Sequence, residues 1–219
     1  MPIAGKTPIG MDFIAFLRNA YTGTPKDDFE RMMLELATLM EYSMDRRNQL
    51  NRVLDKVART IQKLFEFRAV SIGLKDEEGS FKYAVLIGHP PEQEVALRKL
   101  KYDMSEMLDY DKYPNVRLGR ISQYNPVEAF PENEKELMAH GKPTLPDSPR
   151  KVLNEFKQGD YMDFYMHGYE GKLLGWIEVS NTKDNKMPER SSVRWIELIS
   201  DMTALVLQLR SHREKEPGT

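Results

Sequence analysis

The chain has 219 residues, 40% of them hydrophobic and 30% charged, with a formal net charge of −2. That size suits one large domain, or a domain of about 150 residues with an extension, and leaves enough apolar side chains for a real core. Basic residues are scattered among acids, so there is no electrostatic footprint for nucleic acid, and the lack of cysteine excludes disulfides, thiol nucleophiles, thiolate metal sites and thioether-linked chromophores.

The opening "MPIAGKTPIG" lacks the apolar core of a secretory signal, and no apolar run approaches the ~20 residues of a membrane span. Together with the missing thiols, these features give a cytoplasmic protein as the expectation. "MDFIAFLRNAY" reads as a short amphipathic helix with Phe13, Phe16 and Leu17 on one side. "TGTPKDDFERMM" then reads as a helix start. Thr24 caps, Pro25 takes the first turn, and Asp27 and Asp28 favour the positive end of the helix dipole. Apolar positions step by four and three through Phe29, Met33, Leu36 and Met40, then through Leu50, Leu54, Val57, Ile61 and Leu64. The same register places Ser43 and Arg47 in the seam, a polar break in its middle. Either one helix of roughly 40 residues or two helices hinged near "SMDRRNQ" fits. A helix that long is unusual in a globular domain, and a second copy alongside would account for it.

Strands follow. "RAVSIGLK" and "FKYAVLIG" alternate Val70, Ile72, Leu74 and Phe81, Tyr83, Val85, Ile87 around the turn "DEEGS", where Gly79 is free to take a positive φ. "HPPEQEVALRKLKY" runs from prolines into a helix. The least regular stretch, 101–160, holds a strand in "NVRLGRISQY", a helix in "ENEKELMAH" and the proline-punctuated loop "GKPTLPDSPR". "DYMDFYMHG" and "KLLGWIEVSN" form a second hairpin about "YEG". The helix "VRWIELISDMTALVLQLR" places Trp195, Ile199, Met202, Val206 and Leu209 in a seam, and a charged tail ends the chain. Hairpins enclosed by helices make an α+β fold with a mainly antiparallel sheet.

The run "LNRVLDKVARTIQKLFEFRAVSIGL", the strand "LLGWIEVSN" and the closing helix "WIELISDMTALVLQL" resemble a GAF domain over roughly residues 48–210. PAS-like domains share parts of this pattern, but the closing strand and helix favour GAF. The resemblance divides the chain into an N-terminal helical extension (1–47) like the signalling helices often attached to such domains, a GAF-like domain (48–210) and a charged tail (211–219). It implies an antiparallel sheet of about six strands, with terminal helices on one face and a pocket under the irregular segment on the other. Members of this family bind cyclic nucleotides, tetrapyrroles, metals or small metabolites, or serve only to dimerise. Many sit upstream of a signalling output domain. The bilin-attaching and methionine-sulfoxide-reducing members work through cysteine, which this chain lacks. "NEKE" and "KDEEG" stand in the wrong context for the cyclic-nucleotide pattern.

Period two puts Tyr161, Asp163, Tyr165 and His167 on one face of their strand and Met162, Phe164 and Met166 on the other. In the partner strand Leu174, Trp176, Glu178 and Ser180 share a face, opposite Leu173, Gly175, Ile177 and Val179. If the polar faces coincide, Asp163, Tyr165, Trp176 and Glu178 form an aromatic wall with a few polar groups, as small-ligand pockets do. The plainer reading makes these acids part of a solvated face, or pairs them with nearby Lys or Arg. "GRISQYNP" either brings Tyr124 to the roof of that pocket or is an ordinary turn before Pro126. The ligand-binding candidates are therefore Tyr124, Asp163, Tyr165, Trp176 and Glu178. The four histidines show no metal-ligand spacing, there is no phosphate-cradling glycine loop, and nothing fixes Asp163 and Glu178 as an acid–base pair. The expectation is a non-catalytic sensory module. It binds a small molecule, its cofactor is not specified by the sequence, and it forms a homodimer through its N- and C-terminal helices. The alternative is a dimerisation scaffold without ligand.

Overall fold

The computed structural model describes residues 15, 21, 24–107, 109, 111, 113–129 and 149–215. Nearly all of the short helix read at 11–21, the helix read in "ENEKELMAH" and most of the loop after it lie outside the described residues. The chain divides into two units, residues 1–37 and 38–219.

Helix α1 spans Asp28–Met44. It begins later than Thr24 and Pro25 suggest, because Asp27 is the effective cap. Its Oδ1 accepts the Glu30 N–H at 2.8 Å, its carbonyl accepts Arg31 N–H, and Glu30 reaches back to Lys26 N–H at 2.6 Å. Two helices, not one, lead into the sheet: α1 stops at Met44 and α2 runs Leu50–Phe65. The break is held by its own polar groups. Asp45 accepts from Arg47, and Asn48 donates to the Tyr42 carbonyl. Arg210 of the last helix donates to the carbonyls of Ser43, Asp45 and Asn48 at 2.9, 3.2 and 2.7 Å. The Ser43 carbonyl is one a helix end leaves without a partner, and Asp45 and Asn48 lie in the bend itself. Ser43, the polar residue in the apolar register, is buried and donates to the Leu39 carbonyl at 2.7 Å, so the seam tolerates it.

The sheet has six strands in the order β2-β1-β6-β5-β4-β3, all pairs antiparallel. They are β1 Phe67–Lys75, β2 Phe81–Ile87, β3 Val116–Arg117, β4 Ser122–Asn125, β5 Tyr161–His167 and β6 Leu173–Thr182. The fold is α+β with the expected hairpins β1–β2 and β5–β6. Gly79 takes φ +91° in the first turn, where Ser80 N–H closes on the Asp76 carboxylate. "NVRLGRISQY" is not one strand. It folds back at Leu118–Ile121 into the small hairpin β3–β4, closed by Leu118 N–H on the Ser122 carbonyl. Helix α3 (Pro91–Leu97) and a single turn, α4 (Met104–Met107), lead from β2 to β3.

Helix α2 and the last helix, α5 (Arg190–Lys215), cover the back of the sheet. Val70, Ile72, Val85, Ile87, Met162, Phe164, Met166, Ile177 and Val179 are buried there. Leu54, Val57 and Ile61 of α2 and Val193, Ile196 and Ile199 of α5 are buried as well. Glu197 ties α5 to β4, accepting from Ile121 N–H at 3.0 Å and the Ser122 hydroxyl at 2.9 Å.

Two bulges correct the simple alternation. Gly73 pairs with Tyr83 but Ile72 with Val85, so Ala84 is an extra residue. Phe81 and Tyr83 therefore face the front while Val85 and Ile87 face the helices. Likewise Met166 pairs with Gly175 and His167 with Leu173, leaving Leu174 extra. Leu173 therefore joins the front-face residues and not Ile177 and Val179.

Candidate functional site

The front of the sheet has two parts. Beneath α3 lies a packed cluster of Phe81, Tyr83, Leu86, Leu97, Tyr102, Tyr165, Leu173 and Trp176. Its centre is the Trp176 indole, with ring centroids 5.1 Å from Tyr83, 6.1 Å from Tyr102 and 6.4 Å from Phe81, all edge-to-face. The indole lies on Gly73, where a Cβ would stand 2.0 Å from two of its ring carbons. Only a bare backbone permits that approach.

Beside this cluster is a cleft of about 620 Å³. Tyr161, Glu178, Ser180 and Asn181 line it from the sheet, His89 from the loop before α3, Gln93 and Ala96 from α3, and Gln158 and Gly159 from the turn before β5. His89, in the loop between β2 and α3, shares a 2.9 Å hydrogen bond with the Ser71 hydroxyl on β1. Burial lowers the pKa of its imidazole and so favours the neutral ring, although its hydrogen bond to Gln93 and the charge of Glu94 act the other way. Its position directly after β2, ahead of Pro90 and Pro91, was the signal available.

Asp163 and Glu178 are directly opposite each other in the β5–β6 register, and both are buried. Asp163 Oδ2 accepts from Asn125 Nδ2 at 2.9 Å and, weakly, from Gln123 Nε2 at 3.4 Å. Gln123 Nε2 also donates to the Tyr165 oxygen at 2.7 Å. Tyr83 donates its hydroxyl to Glu178 Oε2 at 2.8 Å. Burial, and next the charge of Glu178, push the Asp163 carboxyl well above its ordinary value, while the two amides pull it down. Burial first, then the neighbouring acids, also raises the Tyr83 and Tyr161 phenols.

The structure thus brings Asp163, Tyr165, Trp176 and Glu178 onto one face, as the alternation suggested. Of these, Glu178 lines the cleft, Tyr165 and Trp176 belong to the packed cluster, and Asp163 stands beside Glu178 on the next strand. Tyr124 departs from the group. It pairs with Met162, so it points to the opposite side, where its ring meets Phe156 edge-on at 5.9 Å. Its hydroxyl donates to Asp160 Oδ2 at 2.6 Å.

Asp160 is fully buried and gathers donors from four places. Oδ1 accepts Val127 N–H at 2.9 Å and Arg150 Nη2 at 3.1 Å. Oδ2 accepts the Tyr124 hydroxyl at 2.6 Å, Lys157 N–H at 2.6 Å and Arg150 Nη1 at 2.9 Å. Arg150 and Lys157 also pair with Glu128 at 2.6 and 3.0 Å. This network fixes the turn that forms one wall of the cleft. Among the described residues no cluster of His, Asp and Glu is arranged to hold a metal ion, and no helix is long and apolar enough to cross a membrane.

No protein-family model matches the chain, and no curated protein matches it. Solved structures do. The GAF domain of a phosphoenolpyruvate-protein phosphotransferase from Coxiella burnetii superposes with a TM-score of 0.56 at 14% identity, over 84% of this chain and 97% of that one. The GAF domain of a putative sensor histidine kinase from Pseudomonas syringae pv. tomato gives 0.52 at 9% identity, over 93% and 96%. That of an Acinetobacter phosphoenolpyruvate-protein phosphotransferase gives 0.51 at 14%, over 85% and 96%. In strand order, in the helices behind the sheet and in these superpositions, the chain has the fold of a GAF domain.

Proposed function

We propose that this chain is a non-catalytic sensory module that binds a small molecule on the front of the sheet and passes the signal through its terminal helices in a homodimer. The observation that carries this reading is the cleft itself, of about 620 Å³, with polar side chains converging on it from both strands and helix. The GAF fold, found also in a putative sensor histidine kinase, supports it. Glu178, with Tyr161, Ser180, Gln93 and His89, would touch the ligand. Asp163, held by the Asn125 and Gln123 amides, backs Glu178 from the next strand, and Tyr165 and Trp176 supply the rigid floor beside it. The partner is a downstream signalling domain or protein, and the proposed setting, consistent with the cysteine-free composition, is the cytoplasm.

Dimerisation draws support from α5. Leu198 and Leu205, one heptad apart on α5, are 43% and 39% exposed. Phe29, Met33 and Leu34 of α1 are exposed as well. The scaffold reading without ligand has its own support: much of the front face is already filled by the chain's own aromatic cluster.

Two measurements separate these readings. Melting midpoints against a metabolite library report binding to the folded state. Sedimentation equilibrium of the wild type and of Leu198→Glu/Leu205→Glu reports assembly. A ligand-dependent rise together with a dimer that the double variant dissociates supports the proposal. A dimer with no shift for any ligand favours the scaffold. A monomer at high concentration defeats both.

A further inference from the structure

Resting on the reading of the cleft as a ligand site, we propose that its ligand is an uncharged molecule carrying a carboxamide or lactam group, recognised by the side-chain amide of Asn181 and the hydroxyl of Ser180 at the end of β6.

The charged side chains that line the cleft have other tasks. Asp160 accepts from Tyr124, Val127, Lys157 and both terminal nitrogens of Arg150. The Arg68 guanidinium donates to the Lys183 carbonyl at 3.1 Å, and Glu178 accepts the Tyr83 hydroxyl at 2.8 Å. The His89 ring is tied to Ser71 and favours its neutral form. Glu92 stands exposed on the first turn of α3, where solvent screens its charge. A charged ligand would have to displace one of these contacts or settle at the screened rim.

The groups still open to a ligand are neutral. Among the described residues, the side chains of Ser180, Asn181 and, at the rim, Gln158 take part in no hydrogen bond, yet all three residues line the cleft. Ser180 pairs with Tyr161 across the sheet and lies on the face of Glu178, two residues along. Simple alternation would turn Asn181 to the helix side, but its backbone is left-handed, with φ +56°, and the residue lines the cleft. Glycine would sit there with less strain. Asparagine in its place puts an N–H donor and a carbonyl acceptor side by side at the cleft.

A planar carboxamide or lactam edge answers both halves of that amide at once, in the two-bond pairing that Asn and Gln make with base edges. The Ser180 hydroxyl adds a third partner of either sense. A carboxylate would meet the amide with acceptors only and an ammonium with donors only, so each would leave half of it unpaired. The cleft, of about 620 Å³, admits such a group on a body of metabolite size.

The test uses the full chain and follows melting midpoints with benzamide and nicotinamide, matched to benzoate, benzylamine and benzyl alcohol. At ~100-fold excess over Kd a bound amide should raise the midpoint by roughly 5–10 °C, and the matched compounds should raise it far less. A carboxamide or lactam drawn from a broad metabolite library supports the proposal equally, provided the variants respond alike. Asn181→Gly keeps the left-handed backbone and removes only the amide, so it should fold and lose roughly fivefold or more in affinity. Ser180→Ala is the second variant, with a loss of about threefold. Asn185→Gly removes an amide at the same φ of +56° outside the cleft lining and should lose none. Equal or larger shifts from the acid, amine or alcohol, a library whose hits are all charged, or amide binding undiminished in Asn181→Gly and Ser180→Ala would overturn the amide assignment while leaving the cleft a ligand site. No shift from the probes or from the library would remove both.

Discussion

Asp160 offers the sharpest test of how the cleft wall is built. In Asp160→Asn one carboxylate oxygen becomes an NH2. If it replaces Oδ1, it faces Val127 N–H and an Arg150 N–H; if it replaces Oδ2, it faces the Tyr124 hydroxyl, Lys157 N–H and Arg150. Either way at least two bonds become donor-to-donor contacts in a fully buried place. Each hydrogen bond to a charged group contributes about 1.5–3 kcal/mol, and breaking a buried ionic network by one partner costs about 3–5 kcal/mol. Arg150 keeps Glu128, so the expected loss is at the lower end, about 3–4 kcal/mol. For a unit of this size that is roughly 6–16 °C in Tm. Urea unfolding followed by tryptophan fluorescence should show a lower midpoint with an unchanged slope. A cycle with Arg150→Met should show strong coupling between the two sites. A loss below about 1 kcal/mol, or additive single effects, would refute the view that this network holds the turn in place.

Gly73→Ala should cost about 2–3 kcal/mol, because a methyl group would displace the Trp176 ring from its bed, and the near-ultraviolet circular dichroism of that indole should change with it. The raised Asp163 carboxyl gives a definite pH slope. Above about pH 3.9 the unfolded carboxyl ionises while the folded one keeps its proton, so the native state binds more protons and stability falls as pH rises through that window. Urea midpoints between pH 4 and 7 should show this fall, and Asp163→Asn should flatten it. His89 acts at the other end: its lowered value means that the unfolded chain protonates first as pH drops below about 6.5, so stability is lost on acidification there and His89→Gln should reduce that loss. Arg210→Met should cost about 1–2 kcal/mol and accelerate amide exchange at residues 45–49, since it strips donors from the carbonyls of Ser43, Asp45 and Asn48.

What could be read in the sequence follows what is local. Both main hairpins, the last helix and the back-face set Met162, Phe164 and Met166 come from periodicity within one segment, and the structure keeps them. The helix start slipped because Asp27 caps better than Thr24, and both residue types signal a cap. The bulges at Ala84 and Leu174 are invisible in the sequence: alternation carries no mark for an extra residue, so it cannot show that Val85 and Ile87 part from Phe81 and Tyr83, or Leu173 from Ile177 and Val179. Tyr124 was misplaced for a related reason, since a strand of four residues shows its alternation without saying which face is which. The Asp160 network joins residues 124, 127, 150 and 157, and a pattern search along the chain does not bring such distant donors together.

The grip of Arg210 on the bend after α1 responds to rotation. Its guanidinium stands well off the α5 axis, at the end of a long lever. Turning that helix by about 20° sweeps the fork by roughly 2 Å, more than bonds of 2.7–3.2 Å tolerate, whereas a slide of a few tenths of an ångström along the axis leaves them intact. The bend thereby registers a displacement of the closing helix, by turn or by slide, once it exceeds what those bonds tolerate.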